Sequence, residues 1–182
     1  FKIEADANEI YLGMIRNELK NSPGFTWQSW VQAANFCVSN NINLEEALTW
    51  ADNAINLSFV GEKNFTTLQT KASVLSALGR DSEAEAIMEE AINHPTADMS
   101  KIHFYGRSLI AQGKPEKAME VFLLNRKKNP KDNFTTLVGL ARGYEAIGKT
   151  SQAAKHYNLA AENAPEGQKN IYLDLAKNLE AK

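Results

Sequence analysis

The sequence predicts an all-α chain of about four helix–turn–helix repeats with a further helix at each end. Three observations predict it. Asn64-Phe65-Thr66-Thr67-Leu68 reappears as Asn133-Phe134-Thr135-Thr136-Leu137, 69 residues later. Each copy runs through an apolar helical pattern to a glycine, Gly79 and Gly148. Ala47, Ala84, Ala118 and Ala153 each open a second helix-like run, at separations of 37, 34 and 35 residues. A fixed period of about 34 residues is the length of one helical hairpin that stacks on copies of itself.

Composition sets the outer bounds. The 182 residues are 43% apolar and 23% charged, with a formal net charge of −2. That balance supports a packed core and argues against wrapping a nucleic acid. No uninterrupted apolar run approaches the roughly 18 residues of a membrane span. Cys37 is the only cysteine, so no internal disulfide exists. The chain starts at Phe1 without methionine, which reads as a fragment of a longer protein. Phe1-Lys2-Ile3-Glu4 alternates like the end of a strand.

The elements follow in order. Residues 1–25 hold a capping or connecting helix over 6–21, with Ile10, Leu12, Met14, Ile15 and Leu19 as its apolar positions. Ser22-Pro23-Gly24 breaks it. Four repeats occupy 26–62, 63–97, 98–131 and 132–166. The fourth has Leu137, Leu140, Ala141 and Tyr144 in its first helix, and Ala153, Tyr157 and Ala160 in its second. The third has Ile102, Tyr105, Gly106 and Leu109, then Ala118 and Phe122. The second has Leu68, Ala72 and Leu75, then Ala84, Met88 and Ala91. The first is degenerate, with Val31, Ala34, Val38, Ala47, Ala51 and Ala54. Gly79, Gly113 and Gly148 supply left-handed residues at the turns. Pro130 and Pro165 stop second helices, and Asn64, Asp132 or Asn133, and Ser151 are candidate N-caps. Small residues such as Gly106 and Ala141 let helices approach, so Gly106→Leu is expected to overpack at a cost of ~1–3 kcal/mol. Residues 167–182 form a capping helix carrying Ile171, Leu173, Leu175 and Leu179.

This large–small–large pattern, with alanine opening the second helix and proline just beyond it, resembles the tetratricopeptide repeat. The resemblance covers roughly residues 26–165 and implies a right-handed α–α superhelix. It also implies a concave groove lined by the first helix of each repeat, binding a protein or peptide without catalysis. Groove positions then fall at Ser29, Gln32 and Phe36; at Thr66, Gln69 and Ser73; at Ser100, His103 and Arg107; and at Thr135, Val138, Arg142 and Glu145. Some domains of this kind clamp a chaperone's C-terminal carboxylate with lysines and asparagines. Those positions here carry Gln32, Phe36, Thr70, Ser100 and Phe104, so that clamp is absent.

Two groove cations stand out. His103 and Arg107 are i,i+4 neighbours, and Arg142 lies one repeat further on, so both guanidiniums are expected on adjacent parallel helices. Paired guanidiniums suit an acidic or carboxylate-bearing partner. The alternative is that Arg142 pairs with Glu145 and both arginines are merely hydrated. No catalytic set emerges. The histidines lie in different repeats without helical metal-ligand spacing, and carboxylate pairs such as Glu45-Glu46 and Glu89-Glu90 read as solvated faces. No cofactor or metal is expected. Cys37 reads as a small apolar filler, and Trp27, Trp30 and Trp50 as packing for the first cap.

Three further segments carry a narrower resemblance: Ser22-Pro23-Gly24-Phe25-Thr26-Trp27, the run 43–51, and the run 61–67. They look like the C-terminal helical part of a family of uncharacterised exported bacterial proteins that carry an N-terminal β-rich domain of unknown function. That implies a periplasmic or cell-envelope setting. It also leaves a second expectation open, a structural appendage that packs on its own N-terminal domain, in one version an enzyme, or that dimerises, with no groove ligand.

Overall fold

The computed structural model describes residues 7–181; the strand-like reading of Phe1–Glu4 lies outside them. Among the described residues there are ten α-helices and no strand. They are α1 (Ala7–Glu18), α2 (Trp27–Asn40), α3 (Leu44–Asn56), α4 (Phe65–Ala77), α5 (Asp81–Asn93), α6 (Met99–Ala111), α7 (Pro115–Lys128), α8 (Thr135–Ala146), α9 (Thr150–Glu162) and α10 (Lys169–Glu180). Adjacent helices pack in the manner of a helical repeat, and the chain divides after Ala97 into two compact units.

Each unit contains two hairpins, α2/α3 and α4/α5 in the first, α6/α7 and α8/α9 in the second. Turns of three residues join the helices of each pair, which forces them antiparallel. In three turns a glycine takes the left-handed conformation, at φ 74 for Gly79, 71 for Gly113 and 75 for Gly148. The first turn has no glycine. Asn41 and Asn43 adopt φ 51 and 44 instead, and the Asn41 N–H closes the end of α2 on Cys37 and Val38 carbonyls. Asparagine is the side chain most tolerant of that region after glycine. The degenerate first repeat therefore forms its hairpin by a different residue choice.

Helix starts show how the twin sequences are used. Asn64 caps α4 by accepting the Thr67 N–H at 3.1 Å, and the Thr67 hydroxyl takes the Asn64 N–H in return. At α8 the cap comes from further back. Asp132 Oδ2 accepts the N–H groups of Phe134 and Thr136, at 3.3 and 2.6 Å. The expected Ser151 cap is absent, because the helix start is shifted two residues earlier, to Thr150, and Lys149 occupies the cap position without a side-chain bond.

Packing follows the small-residue ruler. Ala47, Ala118 and Ala153 are fully buried and Ala84 nearly so. In the second unit Phe122 of α7 is sealed from solvent and seated on glycines of two other helices. A Cβ at Gly106 of α6 would lie 2.5 Å from its ring; at Gly139 of α8, 2.7 Å; at Gly143, 3.0 Å. Real side-chain atoms do not approach so closely, so the ring occupies the volume those side chains would have filled.

The end helices differ in detail from expectation. On α1 only Leu12 is buried, with Ile15 and Leu19 packed beside it against Ala33, Ala34 and Cys37. Ile10 and Met14 are 54% and 57% exposed, so they do not belong to the inner stripe. On α10 the inward stripe is Tyr172, Leu175, Ala176 and Leu179, whereas Ile171 and Leu173 point outward. The inner residues repeat at three and four, as a helical face requires. Picking the large aliphatics by identity misassigned the others.

Two polar contacts fasten α1 and the tryptophans. Arg16 of α1 makes a bidentate pair with Glu46 of α3, at 2.8 and 2.6 Å. Glu46 is thus no solvated-face residue, and its bonds to Arg16 hold its carboxyl below the usual range. Trp50 is buried beside Leu12 and Trp30 packs against that cluster. Trp27 is only half-buried, donating its ring N–H to Glu62 at 2.9 Å.

Candidate functional site

In the first unit α2 and α4 lie side by side. On α2, Gln32 is exposed and Phe36 half-buried; on α4, Gln69 is half-buried and Ser73 exposed. Among the described residues no hydrogen bond or ring contact joins the α2 pair to the α4 pair. Gln32 and Phe36 instead line a cleft of about 360 Å³ with Tyr11, Met14, Ile15 and Leu19. Tyr11 of α1 stacks on Phe36 at 5.8 Å between ring centres. Helix α1 therefore borders the face expected to be open groove.

The second unit brings more chemistry together. Helices α6 and α8 pack side by side, with Phe122 wedged on both. His103, one turn before Arg107 on α6, is only 8% exposed. Its ring hydrogen-bonds the Thr135 backbone, and its Nδ1 is buried with no partner. Room for the imidazole exists because α8 carries Gly139 opposite; a Cβ there would stand 3.3 Å from Nδ1. The ring also lies 5.7 Å from Phe122 and 6.1 Å from Phe104.

The electrostatics around His103 are unusual. Burial first, then the positive charges of Arg142 and Arg107, push its pKa down to about 4, against a smaller upward pull from Asp132. The imidazole is thus neutral at pH 7 and both guanidiniums act upon it. An unfolded chain takes up this proton near pH 6.5, the folded chain only near 4. This group should therefore lower stability progressively as pH falls through that window, with no further loss below it. Urea denaturation at pH 7 and pH 4.5 measures the fall, which His103→Gln should lessen; the carboxyls of Glu46 and Asp98, held below their usual range, account for a remainder.

Arg107 is exposed, its guanidinium 5.9 Å from the centre of the Phe104 ring. Arg142 is half-buried, and its Nε is sealed without a hydrogen-bond partner. Among the described residues neither arginine forms an ion pair. Glu145, three residues after Arg142, is bonded elsewhere: it accepts the Tyr157 hydroxyl of α9 at 2.8 Å. Burial and this bond push the Tyr157 pKa up. The expected alternative pairing of Arg142 with Glu145 is therefore not formed. Val138, expected in the groove, is buried at 4% exposure and belongs to the core.

Sequence reasoning missed three partners of this region. Asp132 bears on His103 as well as capping α8, its carbonyl bonded by Arg126. Gly139 makes the imidazole pocket, and Tyr157 diverts Glu145. Only Asp132 had a signal, its place just before the repeated Asn-Phe-Thr-Thr segment.

Among the described residues no group of three His, Cys, Asp or Glu is placed to hold a metal, and no helix is long and apolar enough to cross a membrane. Cys37 is fully buried, and burial pushes its thiol pKa up, which disfavours the reactive thiolate. Searches find no family model that matches the chain and no curated protein that matches it significantly.

Proposed function

We propose that this chain is a non-enzymatic interaction scaffold whose helical hairpins belong to a tetratricopeptide-like superhelix, and that its second unit binds an acidic peptide or protein segment. One observation carries the reading. Arg107 and Arg142, on neighbouring helices, both act by their charge on one buried neutral imidazole, and neither has a carboxylate partner among the described residues. Two guanidiniums with no carboxylate bonded to them favour an anion, and rigid helices hold them ready so that binding orders little.

The test uses a labelled tetra-aspartate peptide at low salt. Arg107→Ala combined with Arg142→Met removes both charges while keeping the partly buried stem of residue 142. Charge-assisted hydrogen bonds contribute about 1.5–3 kcal/mol each, so the double variant should bind at least ~100-fold more weakly. Its melting temperature should stay near wild type. Equal binding by wild type and variant would remove the arginines from the account.

A second reading draws on the first unit. Ile10, Tyr11 and Met14 expose an apolar face on α1, and Phe59 stands fully exposed at φ 64, a conformation costly for an aromatic residue. These features favour packing on a preceding domain or a second copy, with the envelope setting that the narrower family resemblance implies. Sedimentation of the isolated chain separates the readings: a concentration-dependent dimer without peptide binding supports the second.

A further inference from the structure

We propose that the anion site of α6 and α8 takes up a proton on His103 when it is filled, so that its acidic ligand binds more tightly as pH falls. This rests on the reading of Arg107 and Arg142 as that ligand's anchors.

The geometry sets up the coupling. His103 is enclosed by its own helix, by α7 and by α8 with its preceding loop. Its own helix presents Arg107 one turn away, α8 presents Arg142, and the loop presents Asp132. From α7 the contact is the uncharged ring of Phe122. Two positive groups thus face the imidazole against one carboxylate. With the site empty, a proton on His103 would be a third cation in a water-poor pocket, with no acceptor for Nδ1. Burial and the two arginines accordingly hold the imidazole neutral, with a pKa of about 4.

A bound carboxylate removes that field. Together with Asp132 it offsets the two guanidinium charges, in a medium where such interactions are strong. Burial continues to oppose protonation, so the imidazole is not driven above its ordinary range; it returns toward it. By linkage, a group whose pKa is higher in the complex than in the free chain strengthens binding at pH values below the complex's pKa. A return part of the way from about 4 toward 6.5 raises affinity severalfold between pH 7.5 and pH 5. Aspartate side chains remain largely ionised across that range, so the ligand itself contributes little.

The experiment titrates the full chain with the tetra-aspartate peptide at pH 7.5, 6.5, 5.5 and 5, in buffers of different ionisation enthalpy to count protons. The expected result is tighter binding at low pH, with a fraction of a proton taken up per peptide near pH 5.5. His103→Gln should flatten the pH dependence. The wild-type imidazole resonance, followed by NMR with and without peptide, gives a second readout that needs no variant: its midpoint should move upward on binding. Peptide that binds equally at all four pH values, with an unmoved His103 midpoint, overturns the proton coupling and leaves the arginine site standing. A pH dependence that persists in His103→Gln with no shift of the imidazole also overturns it. Peptide that binds at no pH removes both the site and the coupling.

Discussion

Phe122→Ala should destabilise the second unit by ~3–5 kcal/mol, the usual range for emptying a buried aromatic site. The ring is wholly buried and fills the space above three glycines on two helices, so truncation opens a void that the neighbouring backbones cannot collapse into without moving. Urea denaturation measures the loss. The converse change tests the same seat. Gly106→Leu drives a side chain into the ring, where even a Cβ would come to 2.5 Å. Overpacking of this kind costs ~1–3 kcal/mol. Because both substitutions act on one volume, they should not add: Gly106→Leu in the Phe122→Ala background should restore part of the lost stability. Strict additivity would mean that the two residues do not meet.

Leu12→Ala should destabilise the first unit by ~2–5 kcal/mol, as expected for a leucine truncated in a packed site. Leu12 is fully buried among Ala33, Ala34 and Cys37, small residues that leave the space it fills. Met14→Ala, two residues on and mostly exposed, should cost less than ~0.5 kcal/mol. The contrast separates a helix that completes the core from a linker lying loosely on it. If Leu12→Ala left the denaturation midpoint unchanged, α1 would be an appendage. The Arg16–Glu46 pair would not rescue the helix alone, since half-exposed ion pairs contribute little.

The repeat period located the hairpins because small residues mark where helices touch. Ala118, Ala141, Ala153 and Gly106 are all buried at helix contacts, and the turn glycines have positive φ. Asn41 carries no glycine signal at the first turn because two residue types satisfy the same backbone demand. The end helices were legible as helices but not in their facing. Ile10 and Met14 are apolar yet lie off the three-and-four spacing of Leu12, Ile15 and Leu19, and Ile171 and Leu173 sit to either side of the face that Tyr172, Leu175, Ala176 and Leu179 turn inward.

The candidate site was legible as a pattern of cations and not as an environment. The period puts His103 and Arg107 on one first helix and Arg142 on the next, α6 and α8, and both charges bear on the histidine, which is buried and not open to a groove. Its burial depends on a missing side chain at Gly139, thirty-six residues away, and no local signal reports that. Glu145 looked like a partner for Arg142 because i,i+3 pairs meet on a helix surface. A tertiary contact from Tyr157 takes its carboxylate instead. Val138 adjoins Gly139 on α8, and one residue step turns a helical side chain by about 100°, enough to move it from surface to core.

The seat of Phe122 between α6 and α8 underlies both the packing of the second unit and the placing of Arg107 and Arg142 on adjoining helices. A NOESY spectrum of the labelled protein tests it most directly. Strong cross-peaks from the Phe122 ring protons to the α-protons of Gly106, Gly139 and Gly143 are the expected result. A Phe122 ring that reaches none of the three glycines would contradict the helix arrangement and the binding face built upon it.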